Sequence, residues 1–187
     1  TMVAVEDLYR PYRPKRRTRA MIAKEKGLEP LADLIWLQQI KEPVEGLARA
    51  YVSEEKQVAS EAEAVAGARD ILAERISDQA DYRSYIRKIT MDRGMIASSA
   101  KDGEIQSVYE MYYQYEELIK RCAGHRILAL NRGEKEKVLT VKIQAPEEDI
   151  IRYLEKQVIT RNNPFTVPIL QETIRDSYDR LIGPAIR

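Results

Sequence analysis

The sequence contains very little cysteine, histidine, phenylalanine or tryptophan. Cys122 and His125 are the only residues of their types among 187, and there is one Phe and one Trp. A lone cysteine cannot form an internal disulfide, and the N-terminus lacks the basic stretch, apolar core and small-residue cleavage site of a secretory signal. These absences predict a cytoplasmic protein.

Long apolar runs and an excess of one charge are also missing. No segment approaches the roughly 18 apolar residues that a membrane-spanning helix needs, so no membrane partner is expected. The 31 basic and 30 acidic residues leave a net charge of +1, and any attraction to nucleic acid must therefore be local. An apolar content of 44% against 33% charged residues is ordinary for a globular chain.

The usual signatures of catalysis are absent from the sequence. Cys122 and His125 are three residues apart, but a structural zinc site needs about four such ligands and the chain has no second Cys or His. No serine-elbow motif and no glycine-rich phosphate loop occur. The acidic pairs, such as Glu116-Glu117, are typical of solvated helix surfaces. The sequence therefore predicts no enzyme, no metal site and no cofactor.

Apolar residues at helical spacing, with helix start and stop signals, predict a mainly α-helical fold. Thr18 is a candidate N-cap, Gly27 a stop signal, and Ser60 with Glu63 a capping box. Gly183-Pro184 predicts the end of the last helix. The predicted helices cover about 18–26, 29–39, 44–51, 60–76, 81–97, 107–122, a segment opened by Pro146, and 167–182.

One small antiparallel β-hairpin is predicted between the later helices. Its strands are 125–131 and 137–143, where β-favouring residues appear and Gly133 lies in the connection. In the second strand, alternation predicts that Leu139, Val141 and Ile143 face the core. An isolated hairpin is marginally stable, so it is expected to pack against the helices.

Tyrosine is abundant, with 11 residues, and four of them fall between positions 109 and 115. Tyr109 and Tyr112, at helical spacing with Leu118 and Ile119, are predicted to be core residues. Stacking on nucleic-acid bases is the alternative for this cluster.

The first 17 residues form a candidate basic arm. Prolines spaced by three and the absence of a helical period predict an extended segment. Six cations and no acid occur within residues 10–19: Arg10, Arg13, Lys15, Arg16, Arg17 and Arg19. Three hypotheses remain open for this arm: solvation without a partner, an intramolecular contact with an acidic surface of the full-length protein, or contact with nucleic-acid phosphates.

Several segments resemble the Tex family of bacterial transcription accessory proteins. The residues that carry the resemblance are Glu6-Asp7-Leu8-Tyr9, the run from Arg10 to Ala20, Ile22-Ala23, the run from Gly27 to Ala32, His125-Arg126, Leu128-Ala129, Arg132-Gly133-Glu134, Ser177-Tyr178 and Arg180-Leu181. The resemblance covers essentially the whole chain.

The resemblance implies a helical region from the N-terminal half of a longer protein. It implies a helix-turn-helix-like subdomain at 18–77 after the arm at 1–17, and a helical central region with the hairpin at 78–187. The S1 domain, the main nucleic-acid binder of the family, is absent from this sequence, and the family offers no catalytic residues for this region.

The resulting functional prediction is a non-catalytic, monomeric scaffold that associates with nucleic acid and the transcription machinery. The predicted nucleic-acid contacts are the basic residues of the arm and its junction: Arg13, Lys15, Arg16, Arg17 and Arg19. The alternative is a protein interaction module that docks RNA polymerase or the downstream domains without contacting nucleic acid.

Overall fold

A computed structural model describes residues 17–186, and helices make up 62% of it, confirming a mainly α-helical fold with a small sheet. Backbone contacts divide the chain into two compact units. Unit 1 contains the described residues up to Ser84 together with Ile151–Ile186, and unit 2 contains Tyr85–Ile150. No helix between residues 17 and 186 is long and apolar enough to cross a membrane.

Helices form unit 1, and two of them, α5 and α7, continue into unit 2. They are α1 (Arg19–Glu25), α2 (Glu29–Leu37), α3 (Val44–Ala48) with a 3-10 turn (Arg49–Tyr51), α4 (Glu61–Ser77), α5 (Ala80–Arg93), α7 (Glu147–Val158), α8 (Val167–Asp176), a π-helical turn (Ser177–Ile182) and α9 (Gly183–Ile186).

The centre of unit 1 is α4, whose start was predicted from its capping residues. Ser60 Oγ accepts a hydrogen bond from the Glu63 amide at 3.2 Å, and Glu63 Oε2 accepts one from the Ala59 amide at 2.9 Å. The first bond satisfies an amide of the first helical turn that has no partner within the helix, and the second holds the chain just before the N-cap. The small and branched residues of α4 let α1, α2, α3 and α8 pack around it, and those that are buried are Ala64, Val65, Ala68, Ile71, Leu72, Ala73 and Ile76.

The end of the chain packs on α4, which explains why the observed units differ from the predicted boundary between residues 77 and 78. Ser177 Oγ donates to the Ala73 carbonyl at 2.7 Å, and Arg69 pairs with Glu172 at 3.0 Å. The buried Ser177 hydroxyl thus fixes the last helix against a helix more than 100 residues earlier. The chain leaves this bundle to build unit 2 and then returns to it.

Unit 2 contains a three-stranded antiparallel sheet covered by one helix. Its elements are β1 (Met95–Ala100), a 3-10 turn (Glu110–Tyr112), β2 (Gln114–Leu118), a second 3-10 turn (Ile119–Arg121), α6 (Gly124–Lys135) and β3 (Leu139–Gln144). The strand order is β2-β1-β3, with Ser98 opposite both Tyr115 and Val141. Tyr109, Tyr112, Leu130 and Leu139 form the buried core between sheet and helix, which confirms the core assignment of the two tyrosines.

The predicted helix from 81 to 97 is wrong at its C-terminal end, because α5 stops at Arg93 and β1 begins at Met95. Gly94 makes the reversal possible. A Cβ atom there would lie 2.3 Å from the Thr90 carbonyl oxygen and 3.0 Å from Ile119 Cδ1, so only glycine fits this close approach. The following residues become the central strand because both of its edges are paired.

The predicted helix from 107 to 122 is also wrong. Only the 3-10 turn at Glu110–Tyr112 uses the spacing of Tyr109 and Tyr112, and the chain then pairs with β1 as β2. The pairing with β1 thus outweighs the helix propensity of residues such as Glu116 and Leu118, because strand preference depends strongly on context.

The predicted hairpin at 125–143 is replaced by a helix and an edge strand. Residues 125–131 lie in α6 rather than in a strand, because a short apolar run such as Ile127–Leu130 fits a helix equally well by periodicity. The second predicted strand is confirmed as β3. Leu139 is fully buried and Val141 packs on the core, as alternation predicted.

The predicted stop at Gly183-Pro184 is wrong as well. The chain continues from α8 through the π-helical turn into α9, and Gly183 has a helical φ of −56°. Pro184 is tolerated because it lies in the first turn of α9, where a backbone N–H has no hydrogen-bond partner within the helix.

Candidate nucleic-acid interface

Of the residues predicted to contact nucleic acid, Arg13, Lys15 and Arg16 lie outside the described part of the chain. Arg17 is described, and its guanidinium pairs with Glu25 Oε2 at 2.7 Å. Both side chains are mostly exposed, and exposed ion pairs of this kind contribute little to stability. Arg17 can therefore exchange its carboxylate partner for a phosphate at low cost.

Arg19 lies in a different environment from Arg17. It shares a shallow cavity with Asp70 and Gly67 between α1 and α4. Burial raises the pKa of Asp70, and the positive charges of Arg180 and Arg19 oppose that increase. Arg19 thus helps to compensate a partly buried carboxylate within unit 1, which makes it a weaker candidate for contact with an external anion.

A second basic surface lies about the loop between α7 and α8. It is a cleft of about 440 Å³, and we call it the basic cleft. It is lined by Arg152, Glu155, Lys156, Ile159, Thr160, Arg161, Asn162, Val167 and Gln171.

Helical spacing in α7 places two of its cations side by side. Arg152 and Lys156 are four residues apart and both are exposed. Leu154 and Val158 project from the opposite side of the helix and are buried. The burial of that apolar side fixes the rotation of α7, so its two cations must face the cleft and solvent.

The backbone at the third cation, Arg161, is held by the buried side-chain amide of Gln38, the residue that follows α2. Gln38 is 3% exposed, and its Oε1 accepts hydrogen bonds from the amides of Thr160 (3.0 Å) and Arg161 (3.2 Å). Its Nε2 donates to the carbonyls of Val158 (2.8 Å) and Trp36 (3.2 Å). All hydrogen-bonding positions of the amide are thus used, and the loop backbone is fixed.

Asn163 completes this network from the loop side. Its Nδ2 donates to the carbonyls of Ile40 (2.8 Å) and Gln38 (3.3 Å), and its Oδ1 accepts from the Phe165 amide at 2.9 Å. The loop therefore joins the end of α2 to the start of α8. We refer to these bonds as the Gln38–Asn163 network.

The electrostatic balance of the basic cleft favours an anion. Three cations face one carboxylate, Glu155, and neither Lys156 nor Arg161 takes part in an ion pair with another residue of the range 17–186. Thr160, Asn162 and Gln171 add hydroxyl and amide groups at the rim. Arginine and lysine side chains, together with neutral donors, are the groups that bind phosphate oxygens without reading base sequence.

Sequence reasoning missed the basic cleft because its cations are spread over ten residues and the α7 segment is acidic at its start. One local signal was available: Arg152 and Lys156 share a helix face, and Arg161-Asn162-Asn163 follows the helix end. The decisive residue, Gln38, lies more than 100 positions away and carries no sequence signal for this role.

The described residues show no cluster for metal or thiol chemistry. Among residues 17–186, no group of three or more His, Cys, Asp and Glu side chains could hold a metal ion. Burial raises the pKa of the Cys122 thiol, and a hydrogen bond to Glu117 adds to the increase. The thiol form is therefore favoured at neutral pH, which is unfavourable for a nucleophile.

Comparison with known families assigns the chain. The family model described as Tex central region-like matches residues 39–172, which is most of the chain. The chain belongs to the Tex family. The matched residues include all those that line the basic cleft, whereas the arm at 1–17 lies outside the match.

The chain is similar to parts of several longer relatives. The chain is 52% identical to the Bacillus subtilis protein YdcI over 97% of its length and 40% identical to protein tex of Bordetella pertussis over 76%. It is 28% identical to human S1 RNA-binding domain-containing protein 1, with 100% of the chain covered. The chain spans only 26%, 18% and 20% of these three relatives, respectively.

Proposed function

We propose that this Tex region is a non-catalytic helical scaffold that contacts the phosphate backbone of nucleic acid through the basic cleft, and through the arm, within a transcription accessory protein. The observation that carries the proposal is the convergence of Arg152, Lys156 and Arg161 on a cleft that the Gln38–Asn163 network makes rigid. Because the network already orders the loop backbone that carries Arg161, binding of an anion requires no further ordering of that loop.

The names of two relatives support a link to nucleic acid. The Neisseria gonorrhoeae relative is named transcriptional accessory protein Tex, and it is 34% identical to this chain, with 93% of this chain covered. The human relative is named S1 RNA-binding domain-containing protein 1. Sequence-independent phosphate contacts suit a protein that must act at many sites.

The basic cleft has a direct test in the salt dependence of binding. Replacing Arg152, Lys156 and Arg161 together with alanine removes up to three phosphate contacts. The log–log salt slope for single-stranded RNA is then expected to become shallower by about 2, and that for duplex DNA by about 2.7. Fluorescence anisotropy of a labelled 20-mer, titrated at several salt concentrations, measures both slopes.

Two matched variants control this experiment. Replacing the exposed Lys41, Lys56 and Lys88 with alanine changes the net charge equally but leaves the cleft intact, so its slope should remain that of the native chain. Glu155→Gln removes the only carboxylate of the cleft and should strengthen binding. Equal losses from both triple variants would show that only net charge matters and would contradict the proposal.

The arm is tested separately by replacing Lys15, Arg16 and Arg17 with alanine. If these residues contact phosphates, the duplex slope should flatten by about 2.7 while the melting temperature stays unchanged, since a segment that is predicted to be extended should add little to the core. A lowered melting temperature with unchanged nucleic-acid binding would instead identify an intramolecular contact. Thermal melting monitored by circular dichroism provides the second measurement.

A protein interaction module is the second candidate function, and exposed apolar residues of unit 2 favour it. Val108 is 85% exposed and Met111 73% exposed in the segment between β1 and β2. Exposed large apolar side chains close together often mark protein contacts. Binding of purified RNA polymerase by the native chain, lost on replacing both residues with serine, would support this candidate over the first.

A further inference from the structure

The outer edge of β3 in unit 2 has unpaired backbone groups. In the strand order β2-β1-β3, β3 is an edge strand, and β1 is its only strand partner among the described residues. Such an edge presents a row of amide and carbonyl groups that can pair with another extended chain.

The register shows which residues of β3 present these groups. The Lys101 amide donates to the Val138 carbonyl at 3.0 Å, so these two residues form a hydrogen-bonded pair. Hydrogen-bonded pairs alternate in an antiparallel ladder, so Thr140, Lys142 and Gln144 also bond to β1. The amides and carbonyls of Val141 and Ile143 consequently point away from the sheet. Within residues 17–186, no backbone group from outside the sheet forms a hydrogen bond with the amide or carbonyl of Val141 or Ile143.

An apolar groove of about 1030 Å³ lies over one face of the sheet, from Val141 and Ile143 in β3 across β1 to Ile119. Aliphatic side chains from β1, α6, β3 and the adjoining loops line it: Ile96, Ile119, Ile127, Val141, Ile143 and Ala145. A chain that pairs with β3 would place every second side chain on this face of the sheet, next to Val141 and Ile143 at the near end of the groove. The β2 edge differs, because Gln114 and Glu116, which present its outward backbone groups, are polar and exposed.

The rim of the groove is predominantly acidic. Glu134 of α6 and Glu147 and Glu148 of α7 contribute carboxylates, and Lys142 is the only cation that lines it. A partner with apolar residues at alternate positions and Lys or Arg between them would match both the groove and its rim.

We propose that β3 and this groove bind an extended, basic peptide segment of a partner protein, which adds to the sheet as a fourth strand. The unpaired groups of Val141 and Ile143 provide the main-chain bonds, and the groove accepts the alternate apolar side chains. This inference is independent of the nucleic-acid proposal, because it concerns unit 2 and requires no phosphate.

The probe for the test is a fluorescein-labelled, end-capped peptide of alternating lysine and valine, seven residues long. Its matched control is the same peptide with N-methyl groups on the valine amides that would pair with β3. Each lost main-chain bond weakens binding by up to about tenfold, and the methyl groups remove more than one such bond. The N-methylated peptide is therefore expected to bind at least about tenfold more weakly. Fluorescence anisotropy with the 187-residue chain measures both affinities.

Val141→Pro is the matched protein variant. The Val141 amide points away from β1, so proline removes an outward donor without removing a bond of the ladder. The variant should retain its circular dichroism spectrum and bind the peptide about tenfold more weakly. A double variant, Glu134→Lys with Glu148→Lys, leaves the backbone groups of the β3 edge intact. It should weaken peptide binding and reduce the dependence of the affinity on salt concentration, because it removes carboxylates that attract the lysines of the peptide.

Hydrogen exchange on the native chain makes the result independent of how the variants fold. The amides of Val141 and Ile143 should exchange about tenfold more slowly when the peptide is bound, while those of Gln114 and Glu116 should be unaffected. Equal affinity for both peptides, absence of this protection, or protection caused by self-association without peptide would overturn the proposal. The last outcome would identify a second copy of the chain as the occupant.

Discussion

Gln38→Ala is expected to lower the free energy of unfolding by about 3 kcal/mol. The substitution removes two hydrogen bonds that the side chain donates and two that it accepts. It leaves the carbonyl of the buried Val158 without its 2.8 Å partner. An unsatisfied buried polar group costs about 1–3 kcal/mol, and a cavity of the size of the lost amide adds to this. Urea unfolding monitored by circular dichroism at 222 nm measures the change.

Gln38→Gly separates the side chain from the backbone in this experiment. Gln38 has a left-handed conformation with φ of 58°, which disfavours alanine but not glycine. The glycine variant should lose the same hydrogen bonds yet be about 1 kcal/mol more stable than the alanine variant. If glycine and alanine were equally destabilising, the strain would be negligible. If neither lowered stability, the network would have no structural role.

The same pair of variants links stability to the basic cleft. Gln38 does not line the cleft, but its Oε1 holds the Arg161 amide at 3.2 Å. In these variants the loop is free in the unbound state, and ordering it on binding costs free energy, so nucleic-acid affinity should fall. The salt slope should change little, because the number of cations is unchanged. The Arg152, Lys156 and Arg161 triple variant should show the opposite pattern, with a changed slope and native stability.

The elements that were predictable from the sequence are those whose signals are local. Thr18 accepts the Met21 amide at 3.2 Å, Ser60 accepts the Glu63 amide, and Gly27 ends its helix with φ of 76°. Each of these residues acts within one turn of its own position, and a capping oxygen or a left-handed glycine requires no distant partner. The helices of unit 1 could therefore be located to within a few residues.

The sheet of unit 2 could not be predicted because its central strand carries no local signal. Met95–Ala100 is built from small and neutral residues that also suit a helix, and it becomes a strand because it pairs with β2 on one side and β3 on the other. Those partners lie about 20 and 45 residues later. Non-local pairing overrides propensity, and the same effect makes Gln114–Leu118, within a predicted helix, the strand β2.

The candidate site was missed for a related reason. The arm and its junction with α1 have six cations within ten residues and are visible in the sequence, whereas the cleft gathers three from a helix and a loop. What makes those three a site is the position of the loop, and that position depends on Gln38, which caps the C-terminal end of α2. A search for dense positive charge detects local surfaces and misses those assembled by tertiary hydrogen bonds.

The second large effect is expected at the contact between α6 and β3. A Cβ atom at Gly133 would lie 2.5 Å from Leu139 Cδ1, 2.9 Å from Leu139 Cγ and 3.3 Å from Tyr109 Cδ1. Gly133→Ala should therefore lower the free energy of unfolding by about 2 kcal/mol, although alanine favours helices by about 1 kcal/mol over glycine. Gly124→Ala is the matched control on the same helix. It meets no atom within 4 Å and should be neutral to within about 0.5 kcal/mol.

A double-mutant cycle with Leu139 shows whether this effect comes from the clash. Leu139 is fully buried, so Leu139→Ala alone should cost about 3 kcal/mol through lost apolar contact and a cavity. In the double variant the new methyl group at position 133 occupies part of that cavity. The combined loss should then be smaller than the sum of the single losses by at least about 1 kcal/mol. Additive losses in urea unfolding would show that Gly133 is required for the backbone of α6 rather than for its approach to β3.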